Sequence, residues 1–213
     1  MRRAAVWACA LGIAVIIGLC PTGYFAVSPG PVESLGSIVM VENQAQPEKS
    51  VYMVSIAAES ASVYRIFLAG FSPRAELWSK KQVLGGRTLD QYQQDNQALM
   101  ASSIETSIHV ALAECGFEVR TGTPPVRVSV APGEVVGPSA GLAFALEIYA
   151  RVSSEVSLSP RPVVATGVLD KNGRVLPVGG ISQKAIACAD QGAAVFIVPR
   201  ANLAEALKHS GDM

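Results

Sequence analysis

Gly137-Pro138-Ser139-Ala140-Gly141 runs straight into Leu142-Ala143-Phe144-Ala145-Leu146-Glu147-Ile148-Tyr149. A helix over the second stretch is apolar almost all round, and such a helix is stable only when it is enclosed. Whatever the rest of the chain forms must therefore wrap it. Pro138 suits the first turn, because its fixed φ fits a helix and its missing N–H is not needed there. Ser139 then sits at the rim of a buried helix, where unpaired N–H groups and the positive end of the dipole face outward. That position suits a simple helix cap, and equally a nucleophile beside donors for a developing oxyanion.

The chain supplies the material to enclose such a helix. Half of its 213 residues are apolar and only 16% are charged, which fits one ordinary domain with additions. Its formal net charge is zero, and it has no basic stripe of the kind that binds nucleic acid. No Cys/His spacing suggests a zinc site, so neither a metal nor another cofactor is expected. Cys9 and Cys20 lie in an N-terminal apolar segment; Cys115 and Cys188 belong to the globular part. The latter two could pair in an oxidising compartment or stay free.

Arg2 and Arg3 precede an apolar run from Ala4 to Leu19, and apolar character resumes over Tyr24–Val27. Only with Tyr24-Phe25-Ala26-Val27 does the run approach the roughly 20 residues that a bilayer requires. Residues 1–27 are therefore read as a membrane anchor or signal. An uncleaved, single-pass transmembrane helix is preferred, because no convincing small-x-small cleavage site follows the run. The basic flank predicts a cytoplasmic N-terminus and an extracytoplasmic globular part at the cell membrane.

Residues 28–125 read as β-rich with one long helix. Val39–Val41, Val51–Ile56 and Val63–Leu68 are short β-branched and aromatic runs, which predict strands. Ser28-Pro29-Gly30-Pro31, the stretch from Asn43 to Pro47, and Ala57-Ala58-Glu59-Ser60 read as turns between them. Ser72 to Arg87 shows no period and reads as a loop; Trp78 within it has no assigned role. Thr88-Leu89-Asp90-Gln91 fits a capping box, and apolar residues recur at helical spacing from Leu89 to Cys115 before Gly116. His109 on that helix and His209 in the tail are the two histidines, and neither is favoured as a catalytic base.

Residues 126–213 carry the chemistry. Val126–Val130 alternates as a strand, and Val163–Leu169 reads as a buried one. Asp170-Lys171-Asn172-Gly173 is a hairpin turn, Gly179-Gly180 opens a helix from Ile181 to about Gln191, and Asn202 caps a last short helix. Lys184 falls in the first turn of its helix. A cation there opposes the dipole, and burial would push the same way, towards a neutral amine. A neutral lysine can take a proton from a serine hydroxyl. Standing alone, Lys184 would read as a solvated helix lysine.

It does not stand alone. Gly-Pro-Ser-Ala-Gly at 137–141, Ala165-Thr166-Gly167, the run Gly173-Arg174-Val175-Leu176-Pro177-Val178-Gly179-Gly180, and Lys184 together resemble the proteolytic domain of the Lon proteases. The resemblance runs from about Val126 to Leu207. The upstream part, with Ser28-Pro29-Gly30-Pro31 and Met100-Ala101-Ser102-Ser103, looks more loosely like the membrane-anchored PDZ-Lon proteins. The resemblance implies an α+β fold of the Lon proteolytic type (ribosomal protein S5 domain 2-like), usually assembled as a homo-oligomeric ring. It implies Ser139 as nucleophile and Lys184 as general base. Thr166 would support the pair; Gly137, Gly179 and Gly180 are further supporting residues, and Gly179-Gly180 would let the backbone come close to a substrate strand. The implied partner is a protein or peptide substrate, with no metal needed. The chain shows no phosphate-binding Gly-x-x-x-x-Gly-Lys-Ser/Thr loop, and no room for a PDZ module between Gly116 and Gly137. The expectation is thus an ATP-independent, membrane-anchored serine endopeptidase. The alternative is a non-catalytic, anchored peptide-binding adaptor that keeps the peptidase fold.

Overall fold

The computed structural model describes residues 7, 12, 15–42, 44–117, 127–130, 137–153, 158, 160–209 and 211. A five-stranded mixed sheet organises it, in the order β4-β1-β3-β6-β9. These strands are β1 (Pro21–Ser34), β3 (Val51–Ser62), β4 (Glu76–Ser79), β6 (Val163–Ala165) and β9 (Val195–Ile197). The β1–β3 and β1–β4 pairs are antiparallel. The β3–β6 and β6–β9 pairs are parallel. The sheet thus joins strands from either side of the division drawn at residue 125. Two small antiparallel pairs complete the strands: β2 (Val39–Val41) with β5 (Val128–Val130), and the hairpin of β7 (Val168–Leu169) with β8 (Val175–Leu176).

The enclosed helix is α4 (Gly141–Val152), and seven of its residues are buried, from Gly141 to Ile148. Phe144 and Ile148 lie in one core with Val51 and Met53 of β3, Val39 and Val41 of β2, and Met100 and Ala111 of α3 (Leu89–Glu114). Glu147 is the exception in an apolar helix, and the surroundings explain it. Its Oε2 accepts from the Val51 N–H (2.7 Å) and its Oε1 from Arg151 Nε (2.8 Å). Arg151 in turn donates to the Gly36 carbonyl (2.6 Å). A buried charge persists when each of its polar atoms is matched in this way.

Helix α3 begins as expected, with Thr88 and Gln91 forming a reciprocal capping box, and Gly116 follows it at φ +84°. Its first turns differ from the expected apolar stripe: Leu89 and Leu99 are exposed, and burial begins at Met100.

Val63–Leu68 is not a strand but lies in a helix, α1 (Val63–Ala69). Ser62 caps it by accepting from the Arg65 N–H, and Cys20 O accepts from the Val63 N–H. A local cap here outweighs a β-rich composition. Ala57–Ser60 is not a turn; β3 continues through it because β1 offers a full-length partner, pairing Phe25 with Ser60. Ser28–Pro31 likewise lies within β1, beside a register shift between Pro29 and Val32. A Cβ on Gly30 would stand 2.7 Å from the Ser55 carbonyl group, so glycine permits the close strand approach. Ser72–Arg87 is not all loop: it holds the edge strand β4 and α2 (Lys80–Leu84), capped by Ser79. Val163–Leu169 breaks at Thr166-Gly167 into β6 and β7.

The N-terminal reading changes at one end. Tyr24-Phe25-Ala26-Val27 is not part of an apolar span; it lies in β1, with Val27 wholly buried. Most of Ala4–Leu19 falls outside the described residues. Among the described residues no helix is long and apolar enough to cross a membrane, so the transmembrane helix remains an expectation from sequence.

Candidate active site

Ser139 occupies a single 3-10 turn, Pro138–Ala140, between Gly137 (φ +124°) and α4. Two elements grip this turn. From α3, Ser103 Oγ donates to the Pro138 carbonyl (3.1 Å), and Ser107 Oγ contacts the carbonyls of Gly141 (2.8 Å) and Ser103 (2.7 Å). From the β6–β7 junction, the Gly167 N–H donates to the Ser139 carbonyl (2.8 Å), and the Leu142 N–H donates to the Gly167 carbonyl (3.0 Å). The serine is therefore presented by a turn fixed on both sides, and its own side is only half-buried.

Lys184 comes from α5 (Ile181–Asp190), which starts at Gly180 in the left-handed region (φ +67°). A Cβ there would meet Ile56 Cγ2 at 2.8 Å, so glycine is required by both shape and space. Asn202 fixes the approach to that start. Its side chain accepts from the Val178 N–H (2.9 Å) and donates to the Val178 carbonyl (3.1 Å). The sequence predicts it as the cap of the last helix, α6 (Leu203–His209); its side chain instead clamps the segment between β8 and Gly179-Gly180.

Thr166 brings the two segments together. Its buried hydroxyl donates to the Ser139 carbonyl (3.1 Å) and accepts from Lys184 Nζ (3.0 Å). Among the described residues no direct hydrogen bond links the Ser139 hydroxyl to the amine. Lys184 is 2% exposed. Burial lowers its pKa from the ordinary 10.5 to about 8; only a charged thiolate at Cys188, one turn on, would oppose this. Cys188 itself is pushed up to about 12 by burial, so near neutral pH it is an uncharged thiol and offers no counter-ion. The first turn of α5 thus holds an amine that is readily neutral, next to a hydroxyl tied to the serine turn. Catalytic bases are commonly tuned in this way.

The remaining candidates fall elsewhere. His109 and His209 are exposed. Cys115 and Cys188 are both free. Trp78 packs its ring edge 3.5 Å from where a Gly180 Cβ would be, and its indole N–H donates to Glu76 (2.9 Å). Burial pushes the Glu76 carboxyl up, but hydrogen bonds from Gln183, Trp78 and Ser182 outweigh it and hold it low. Through Trp78, edge strand β4 reaches the start of the lysine helix. Ser103, Ser107 and Asn202 were not singled out as site residues. The signal available for the serines was two hydroxyls four apart on the apolar face of α3, which is one helical turn.

Residues 100–209 match the family model described as the Lon protease (S16) C-terminal proteolytic domain. Among curated proteins the chain is similar to Lon protease 1 of Herpetosiphon aurantiacus, 36% identical over 69 residues, or 32% of this chain and 8% of that protein. It is similar to the Lon protease of Chloroflexus aurantiacus, 35% identical over 83 residues, or 38% of this chain and 10% of that protein. The Lon protease of Metamycoplasma arthritidis is 33% identical over 66 residues, or 31% of this chain and 8% of that protein. The chain thus matches a tenth or less of the length of these relatives. With more than half of its residues inside the family match, and with a serine turn, a threonine and a dry lysine joined in one hydrogen-bonded chain, the protein belongs to the Lon protease C-terminal proteolytic domain family.

Proposed function

We propose that this protein is a membrane-anchored serine endopeptidase that hydrolyses peptide bonds in extracytoplasmic proteins with Ser139 as nucleophile and Lys184 as general base. One observation carries the reading: a buried lysine amine bonded to the threonine that also holds the serine turn. In its neutral form this amine can accept the Ser139 proton as the hydroxyl attacks a carbonyl. The same proton then goes to the leaving amine, and water repeats the cycle on the acyl-enzyme. Thr166 orients the amine. Gly137, Gly179 and Gly180 give the backbone its shape on either side. Assembly into a homo-oligomeric ring, and anchoring through residues 1–19, complete the proposal; the basic Arg2-Arg3 flank supports the orientation.

The missing direct contact between Ser139 and Lys184 favours a second reading, an inert peptide-binding adaptor. Catalytic hydrogen bonds are often long before substrate arrives, so substitution separates the two readings better than geometry does. Replacing Ser139 by Ala should lower cleavage of an unstructured protein by about a thousandfold or more. For the unmodified protein, kcat/KM should rise with pH through about 8 as Lys184 loses its proton. Cleavage that survives Ser139→Ala would overturn the assignment, and peptide binding without cleavage in both proteins would establish the adaptor.

A further inference from the structure

Helix α1 and the turn after it present an apolar face that the body does not cover. Tyr64, Phe67, Leu68 and Phe71 follow one another at three- and four-residue spacing, so they share one side of a helical path. They are 56%, 63%, 46% and 76% exposed, and no residue of α1 is buried. The rings of Phe67 and Phe71 meet edge to face at 5.0 Å, which holds both at the surface.

The place where the N-terminal apolar segment meets the body is this same face. Residues 15–19 are helical, and Val15, Ile16, Ile17 and Leu19 are all more than half exposed. The Cys20 N–H closes on the Ile17 carbonyl, and the Cys20 carbonyl accepts from the Val63 N–H at the start of α1 (3.2 Å). A Cβ on Gly18 would stand 3.7 Å from Tyr64 Cβ. The two apolar surfaces are therefore continuous.

The length of the apolar run gives that continuity a consequence. In hydrocarbon a single spanning segment must be helical to satisfy its backbone. The stretch Ala4–Leu19, built as a helix at about 1.5 Å per residue, reaches about 24 Å. The hydrocarbon core is about 30 Å thick. Tyr24–Val27 does not make up the difference, because it is committed to β1. A short span is accommodated by local thinning of the bilayer, by oligomerisation or by flanking residues that settle at its interface, and the α1 face is the apolar flank at hand.

We propose that the α1 face, Tyr64, Phe67, Leu68 and Phe71, is a membrane-contact surface that lies in the interfacial layer beside the exit of the N-terminal segment. Aromatic residues are the side chains that settle at that depth. Resting the body on the bilayer would fix its orientation and hold the serine turn at a set height above the lipid. This inference rests on the anchoring proposed above, so its test must report on anchoring separately.

The full chain is incorporated into phosphatidylcholine–phosphatidylglycerol vesicles whose acyl chains are brominated near the headgroups, which quench nearby tryptophan. Three single-tryptophan proteins are compared: Trp78→Phe, which keeps Trp7; Phe71→Trp with both native tryptophans changed to Phe; and Val195→Trp in that same background. Val195 is exposed on β9, the sheet edge opposite β4. The expected result is that Trp7 and the residue-71 probe lose most of their emission, the latter shifted to the blue, while the residue-195 probe is unaffected. Phe67→Trp serves as an independent reporter of the same face. Quenching of Trp7 without quenching at 71 and 67 would overturn the contact surface and leave anchoring intact. No quenching of Trp7 would remove the anchoring itself, and this inference with it. A blue shift at 71 without quenching would assign the face to a second copy of the chain instead. Equal quenching at 195 would mean unoriented adsorption and would likewise overturn it.

Discussion

Burial of Lys184 favours its neutral amine, and among the described residues it has no ion-pair partner to oppose that. Its folded pKa of about 8 lies below the ordinary 10.5. Between those values the unfolded chain holds a proton that the folded chain has released. Stability must therefore rise with pH across that window and be flat below it. The whole window corresponds to roughly 3 kcal/mol. Lys184→Met keeps the volume and removes the charge. At pH 7 it should be more stable than the unmodified protein by roughly 1–3 kcal/mol, after loss of the Thr166 hydrogen bond. That advantage should fade as the pH rises from 8 to 10.5, and cleavage should be absent throughout. Urea denaturation at several pH values reads this directly; a gain that does not change with pH would contradict burial as the cause. Ser139, Thr166 and Lys184 were legible from the chain because each sits in a short, glycine-bounded motif. The residues that hold them, Ser103, Ser107 and Asn202, were not. Their roles depend on partners more than twenty residues away, and nothing local marks such pairing.

At the scale of elements, segments marked by a local period, cap or turn were readable, and those decided by a distant partner were not. The capping box of α3 and the Asp170–Gly173 hairpin follow from local rules. Strand β4 has four residues, too few for a period, and exists because β1 has a free edge. In α1 the β-branched and aromatic content pointed to a strand, while one serine hydroxyl and one distant carbonyl decided for a helix. The start of α5 allows a sharper test. Gly180 and Gly192 flank the helix, both left-handed, at φ +67° and φ +63°. A Cβ at Gly180 would strike Ile56, whereas nothing lies within 4 Å of one at Gly192. Gly192→Ala should therefore cost only the backbone strain, about 1 kcal/mol. Gly180→Ala should cost that and a packing clash, about 2–4 kcal/mol together. It should also lower kcat, because the first turn that carries Lys184 must shift. Equal losses in the two variants would show that the contact with Ile56 does not matter.

The molecule as a whole is tied together across the division that the sequence suggests. Composition separates a β-rich first region from the motif-bearing residues 126–213, yet β6 of the second pairs in register with β3 of the first, Val51 with Val163 and Met53 with Ala165. Helix α4 adds a buried cross-link, because Glu147 accepts from the Val51 N–H. Of the five-stranded sheet, residues 126–213 alone would keep β6 and β9, two strands of three residues each, and they would expose the side of α4 that packs on β2, β3 and α3. So little sheet does not hold by itself. The full chain should consequently unfold in one transition, with Trp78 fluorescence on β4, read in a Trp7→Phe protein, and far-ultraviolet circular dichroism tracing the same urea curve. The polypeptide 126–213 made alone should show no cooperative transition and no protection of the α4 amides from hydrogen exchange. Two separated transitions in the full chain would mean that the peptidase motifs fold without the first region. The serine turn, which α3 grips from that region through Ser103 and Ser107, would then have to be held some other way.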